Sequence, residues 1–523
     1  MKLFNKSTIF TSAFILAVAT LVSKILGLLR DRIFAIQFGA GDTLDVYFTA
    51  FRLPDLIFNL LILGALSSAF VPVFVGYISA NQKDKAWYVT NSLLNIFFVA
   101  TLVFCALLFI FMEYFVNLIA PGFSESKREL TVTMSRIMLL SPIFFCLSNV
   151  AASILNSFKS FFLYALAPIM YNLGIIFGAI FFVPRWGIYG LAFGVVLGAF
   201  LNMAVQVPKL FILGFRWKPI FDFRHEGVKK IWKLMIPRTM SLALDQINLL
   251  VITVLASFII AGSVAIFNFA NNLQSFPVSI FGVAYAIAAF PYLAEAVSKN
   301  DILLFRTHFS KTFSQILFFI IPISCLIILL RAQIVRLVLG AGKFDWEDTY
   351  LTAQSLGLFS LAIFAQALIH LLARTFYSLS DTKTPFFTSI FGIITNIILG
   401  IILIKIFGVL GLVFSYSFAS FLNMILLLSI LRLRVGDLGD FHLIKNIMKI
   451  LLISLVMSLA VYGTLHLIAS KVDMQTFLGI LKQTAAAGFI GVLIFVILSL
   501  LLKCDEARSA IGYLKNRFGS RRL

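Results

Sequence analysis

The sequence is short of charge, of acid, and of the residues that usually carry catalysis. Of 523 residues only 12% are Asp, Glu, Lys or Arg, about half the share in an average soluble domain. A water-soluble chain of this size needs more polar residues to cover its outside, even when divided among several cores. That shortage excludes a cytosolic enzyme, and a hydrophobic content of 61% excludes disorder. Cysteine is scarce as well. Cys105, Cys146 and Cys325 lie in apolar runs and Cys504 near the end, with no CxxC or metal-ligand spacing, so they read as small hydrophobes. The 5 histidines are scattered, and no HExxH, GxSxG or phosphate-loop pattern occurs. Acidic residues number 22 against 42 Lys and Arg, a net charge of +20. In a soluble protein that surplus points to nucleic acid; in a membrane protein it orients the helices, and no nucleic-acid partner is expected.

What the chain has in plenty is apolar sequence, including 58 Phe. Windows of about 20 mostly apolar residues, each enough for one crossing, fall near 8–29, 50–78, 88–112, 131–156, 162–183, 187–213, 234–260, 263–291, 312–331, 350–378, 385–405, 408–431, 446–469 and 477–502. The expected fold is therefore an all-α polytopic membrane protein of about fourteen transmembrane helices. No connector is long enough for a soluble domain. The first window has no small-residue cleavage site and runs into Arg30-Asp31-Arg32, so a permanent helix is expected there. With the N-terminus inside, roughly 27 of the 42 cations fall in cytoplasmic segments and about 11 outside. Arg216, Lys218, Arg224, Lys229, Lys230 and Lys233, with Lys515, Arg517, Arg521 and Arg522 in the tail, dominate that bias. An even number of spans puts both termini in the cytoplasm.

The chain also repeats itself. Residues 187–203 read GIYGLAFGVVLGAFLNM and residues 408–424 read GVLGLVFSYSFASFLNM, an ungapped match at an offset of 221. At the same offset Asn156-Ser157-Phe158-Lys159 faces Tyr377-Ser378-Leu379-Ser380, a short polar hinge in both copies. Six spans per copy give the copies one orientation, a parallel pseudo-repeat of the kind found in alternating-access transporters. The expected division is 1–214 for an N-terminal six-helix lobe, 215–233 for a cytoplasmic linker, and 234–432 for a C-terminal six-helix lobe. Residues 433–502 then form two further helices, and 503–523 a basic cytoplasmic tail.

A charge at mid-membrane costs about 2.5–3.5 kcal/mol on insertion scales, so each needs a reason. Lys24 lies inside the first span, six residues before Arg30-Asp31; Arg52 opens the second and precedes Pro54-Asp55; Arg238 and Asp245 lie in the seventh. Interfacial snorkelling accounts for some of these. The alternative is that Lys24, Arg30 and Arg52, with Asp31, Asp45 and Asp55, line an aqueous cavity between the two six-helix units. Asp245, with Gln246 and Asn248 nearby, has the chemistry to bind a coupling cation. Pro54 and Gly64 interrupt the second span, and Pro277 and Gly282 the eighth. Breaks at corresponding places in two repeats point to moving, substrate-lining helices.

The residues so assembled resemble the MurJ (MviN) family of lipid II flippases, within the multidrug/oligosaccharidyl-lipid/polysaccharide exporter superfamily. The strings that carry the resemblance are Ser23-Lys24-Ile25-Leu26-Gly27 with Arg30-Asp31, Phe38-Gly39-Ala40-Gly41 with Asp45, and Phe51-Arg52-Leu53-Pro54-Asp55. Ala120-Pro121-Gly122-Phe123, Ala261-Gly262-Ser263-Val264 and Asp381-Thr382-Lys383-Thr384-Pro385 follow in family order. The resemblance implies two six-helix lobes, helices 13 and 14 forming a lipid-facing groove, and alternating access. The implied cargo is the undecaprenyl-pyrophosphate-linked precursor of peptidoglycan, carried from the inner to the outer leaflet of the bacterial cytoplasmic membrane. It places Ser23, Lys24, Arg30, Asp31, Asp45, Arg52 and Asn272 at the substrate. Arg suits a diphosphate by bidentate pairing and Lys as a point charge.

The chain departs from the family pattern at several positions: Lys24 stands where Arg is usual, Phe58 where a basic residue is usual, Leu63 where an acidic one is usual, and Asn272 where Arg is usual. Some members bind sodium through carboxylates in spans seven and eleven; Asp245 and Asn396 are the counterparts here, with Gly400 where a further ligand is expected. No cofactor is expected, and the drive is a coupling cation such as Na+ or the membrane potential. The expected partners are the lipid-linked precursor and the bilayer, with the chain a monomer. The nearest rival reading is export of another lipid-linked oligosaccharide, or drug/cation antiport, on the same scaffold. A membrane enzyme would need clustered carboxylates or histidines on a sizeable polar loop, and the sequence has neither.

Overall fold

A computed structural model of the chain describes residues 9–63 and 69–508. Gly64, the terminal cations Lys2, Lys6, Lys515, Arg517, Arg521 and Arg522, and the side chains of Leu63, Pro237 and Arg238 lie outside what is described. Lipid offers the main chain no hydrogen bonds, so each crossing segment must satisfy its own N–H and C=O groups as helix. Among the described residues there is no strand. Among the described residues ten helices are long and apolar enough to cross a membrane, and the pair Trp346–Ser360 and Ile363–Ser378, bent by 45°, makes an eleventh when counted as one span. Three further stretches fill the remaining expected places. They are Ile9–Phe38, the interrupted path through Asp42–Ala50, Arg52–Ile57 and Val71–Ser79, and Glu226–Ser257. The order is that of the fourteen spans read from the sequence.

Packing gathers the chain into two compact units, Met1–Ala265 and Ile266–Leu523. Helix Glu226–Ser257, counted into the second lobe by chain order, packs within the first unit, against Phe58–Leu63 and Met112–Ile119. Within 215–233 the chain turns helical at Glu226, where His225 Nδ1 accepts from the Gly227 amide at 3.1 Å. Residues ahead of it are tied down by a polar stripe on helix Lys83–Ile110 that the apolar sequence around it conceals. Asn91 donates to Arg216 O at 3.0 Å and accepts from Lys218 N at 2.8 Å. Asn95 donates to the carbonyls of Lys218 and Ile220, at 2.7 and 3.0 Å.

The repeat is written in the backbone. Lys159 and Ser380, 221 positions apart, both take the left-handed conformation, at φ 58° and 59°. So do Gly187 and Gly408, at 58° and 56°, each opening the helix that carries its copy of the repeated string. The next glycines behave alike: a Cβ on Gly190 would fall 2.4 Å from Val183 N, and one on Gly411 2.3 Å from Leu403 O. Side chains there would force the two helices of each hairpin apart. In the first copy the close approach continues, because Cβ atoms on Gly174 and Gly178 would lie 2.3 Å from Gly198 Cα and Gly194 Cα. The breaks correspond as well. A π-helical turn occupies Phe58–Leu63 after Pro54, and another Val278–Val283 after Pro277. A proline cannot donate to the preceding turn, and the ladder re-forms around the gap by widening.

In the second unit the last two helices, Asp440–Ala469 and Phe477–Leu501, lie on Ile302–Val338. Phe318, Ile453, Met457, Ala487 and Phe495 form the apolar seam. Gln483 bonds across it, donating to Leu465 O at 2.8 Å.

Candidate functional site

The first helix, Ile9–Phe38, is apolar enough to sit in lipid yet carries Ser23, Lys24, Arg30 and Asp31. At 100° per residue Lys24 and Asp31 share a face, two turns apart. Arg30 holds Asp31 through Nε and Nη2, at 3.0 and 2.8 Å from Asp31 Oδ1. The carboxylate side chain is 4% exposed and the guanidinium 20%, so the cation keeps an open side while its partner does not. Ser23 lies against helix Phe161–Phe177, where Asn172 Nδ2 reaches its hydroxyl at 3.3 Å. Lys24 is half-buried.

A second pair of charges stands beside the first. Arg52 is buried and donates through Nε to Thr253 Oγ1 at 2.8 Å. Asp55, one turn on, feels the field of both Arg52 and Arg30. Tyr47 and Tyr171, which nothing in the sequence marks out from other aromatic residues in apolar helices, lie within the field of Arg30 as well. Tyr47 packs edge-on against Phe34, Phe48 and Phe51, and its buried hydroxyl has no hydrogen-bond partner among the described residues. The structure thus gathers Arg30, Asp31, Arg52, Asp55 and two tyrosines into one polar cluster among apolar helices of the first unit.

Asp45 has a different place. Its Oδ2 accepts from Gly262 N at 2.8 Å and its Oδ1 from Ala265 N at 3.0 Å. Lys127 Nζ closes the arrangement at 3.1 Å from Oδ2 and lies 4.1 Å from the centre of the Phe123 ring. At 2% exposure Asp45 caps the first turn of helix Ser263–Pro277, satisfying amides that a helix start leaves bare. Gly262 permits the approach, with φ at 88° and no room for a side chain: a Cβ there would meet Ala40 O at 1.6 Å.

The other expected positions are dispersed. Phe58, where a cation would be usual, packs on Phe145 with ring centres 4.8 Å apart. Asp245 is exposed on helix Glu226–Ser257. Asn396, in the second unit, is 1% exposed, and its Oδ1 accepts from Ser415 Oγ at 2.9 Å, joining the helices of one hairpin. Asn272 is half-buried. Near it in sequence, Gln274 donates to Asn271 Oδ1 at 2.9 Å and Gln366 Oε1 at 3.0 Å. Among the described residues no group of three His, Cys, Asp or Glu has the arrangement of a metal site.

The profile of one family, described as lipid II flippase MurJ, matches residues 34–482. The chain belongs to the lipid II flippase MurJ family. A lipid II flippase MurJ of Burkholderia cenocepacia is 29% identical over 425 residues, spanning 79% of this chain and 82% of that one. The chain also resembles a solved lipid II flippase MurJ in an inward closed conformation, with a TM-score of 0.77 and 26% identity over 94% of this chain and 99% of the other. An inward-facing multidrug transporter of the MATE family shares the fold, with a TM-score of 0.69 over 81% of this chain and 99% of the other, at 16% identity. The protein is accordingly a lipid II flippase, a transporter in peptidoglycan synthesis and a multi-pass protein of the bacterial inner membrane. Its substrate is a lipid-linked precursor. In this fold Arg30, on the first helix, keeps an open side, while Arg52, at the opening of the second span, is buried.

Proposed function

We propose that this flippase carries its precursor from the cytoplasmic to the outer leaflet by alternating access, and that Lys24, Arg30 and Arg52 meet the diphosphate. The observation that carries this reading is the partly open Arg30, fixed by a nearly closed Asp31 on a largely apolar helix. A paired guanidinium costs less to keep in the membrane than a lone one, and its free edge is already shaped for phosphate oxygens. Ser23 and Asn272 add neutral hydrogen bonds for the sugars. Asp45 acts indirectly, through the helix start it caps. The likeness to the MATE transporter supports the scaffold and does not favour a drug as cargo.

Both termini face the cytoplasm, in keeping with the basic residues of 208–238 and of the tail. The chain works as a monomer in lipid, without nucleic acid or a bound cofactor. Its drive is the membrane potential or a cation such as Na+, and Asp245 and Asn396 are the residues through which a cation would act. Depleting the protein in cells and probing outer-leaflet lipid II tests the reading. Exposure falls with the native chain removed, returns with it restored, and does not return with Arg30→Ala. Unchanged exposure on depletion, in a cell with no second flippase, contradicts it. Measuring transport across an imposed potential, with and without Na+, in the native chain and Asp245→Asn separates the two drives.

A further inference from the structure

The segment between Gly214 and Glu226 is more than a connector. Hydrogen bonds from Asn91 and Asn95 hold its main chain, and Ser92 adds two: Oγ donates to Asp222 O at 3.1 Å and accepts from Asp222 N at 2.9 Å. Asp222 turns the chain in its own right, accepting from the amides of Arg224 and His225 at 2.8 and 3.0 Å. Only Phe215 is pressed into the core, 5% exposed. What remains outward is unusual for a surface loop. Trp217, Phe221 and Phe223 are 60%, 54% and 60% exposed, interleaved with exposed Arg216, Lys218 and Arg224.

Water solvates the cations readily and the aromatic rings poorly. A membrane–water interface suits both, since rings settle at headgroup level and cations meet anionic lipid. The main chain is already ordered by the helix beneath it, so binding there costs little further conformational entropy. We propose that residues 216–224 form a docking surface for anionic phospholipid headgroups of the cytoplasmic leaflet. The surface anchors the linker in the interface while the flippase turns over. The proposal rests on the cytoplasmic placement of this segment given above. Charge complementarity selects lipid as the occupant: each Lys or Arg near an anionic surface is attracted to it, and the attraction is screened by salt.

The test uses the full chain with its four native cysteines replaced by Ala, transport confirmed, and a bimane fluorophore on Phe221→Cys. In phosphatidylcholine vesicles containing phosphatidylglycerol, a headgroup-level spin-labelled lipid quenches the fluorophore. Quenching is several-fold weaker in phosphatidylcholine alone, at high salt, or after Arg216→Gln, Lys218→Gln and Arg224→Gln together. If the cysteine-free chain fails to transport, retention of phosphatidylglycerol by the native chain and by the triple Gln variant in native mass spectrometry supplies the same comparison. A fluorophore as open to water in anionic vesicles as in detergent, or equal lipid retention by the triple variant, overturns the proposal and would suit a soluble protein partner instead. Reaction of Phe221→Cys with an impermeant maleimide from outside intact cells overturns the cytoplasmic placement itself, a failure distinct from the first.

Discussion

Arg30 and Asp31, neighbours in sequence, are joined side chain to side chain at 2.8 Å, with the acid 4% exposed and the base 20%. The pair makes each partner's removal unequal. Without Arg30, the buried Asp31 loses the guanidinium bonded to it; without Asp31, Arg30 still has an open side.

Arg30→Ala is therefore expected to destabilise the protein more than Arg30→Ala with Asp31→Ala, the single change costing about 3–5 kcal/mol of the kind seen when one member of a buried pair is lost. Thermal unfolding in detergent measures this. A double variant as unstable as the single would mean that the pair is not the source of the cost.

The close-packed glycines give a paired test with its own control. Gly190→Ala and Gly411→Ala each put a methyl group against main chain, and both are expected to lower the melting temperature. Gly463→Ala and Gly488→Ala have nothing among the described residues within 4 Å of the new atom. In those helices Ala is preferred to Gly by up to about 1 kcal/mol, so these two are expected to be neutral or stabilising. Equal effects at all four would contradict the packing described.

Much of the fold was legible in the sequence because lipid imposes a rule that soluble proteins escape: about 20 apolar residues per crossing. The repeat was legible for a similar reason. Gly187 and Gly408 are required by backbone shape and Gly190 and Gly411 by close helix packing, so these positions match between the two copies while the surrounding Leu, Ile and Phe differ. The site was less legible. Arg30, Asp31 and Arg52 stood out as charges in apolar runs. Tyr47 and Tyr171 did not, since aromatic residues are ordinary in such helices. The family string sets Asp45 at the substrate; that its carboxylate accepts from the Gly262 and Ala265 amides is visible only in three dimensions. Asn91 and Asn95, spaced four apart in an apolar span, were a signal passed over.

Because Asp45 caps a helix start, Asp45→Ala is expected to cost about 0.5–2 kcal/mol and to leave Lys127 without one of its two acidic partners, Asp42 remaining. Asp45→Asn, which still accepts hydrogen bonds, is expected to recover part of the loss. Comparing the melting temperatures of the two checks the assignment; equal loss in both would assign Asp45 a purely electrostatic part.

Acid sensitivity is expected at the hinge of the second repeat. Burial acts to raise the Asp381 carboxyl, but hydrogen bonds from Thr384 and Arg434 outweigh it and hold the group below its ordinary value. A carboxylate depressed in the folded state contributes stability above its unfolded pKa of about 3.9, lost as pH falls through the lower folded value. The melting temperature should therefore be steady near neutrality and decline below about pH 4. In Asp381→Asn it should start lower and decline less. An undiminished acid decline in the variant would exclude Asp381 as a source.

The central claim is that the cations of the first two helices bind the diphosphate of a transported lipid. Reconstitution into vesicles loaded with lipid II on one leaflet tests it most directly, by the rate at which lipid II becomes accessible on the other. The account predicts transport by the native chain, a loss of at least about tenfold in Lys24→Ala and Arg52→Ala, each worth one charge-assisted contact of about 1.5–3 kcal/mol, and little change in Lys299→Ala. Transport by Lys24→Ala and Arg52→Ala at the native rate would contradict it.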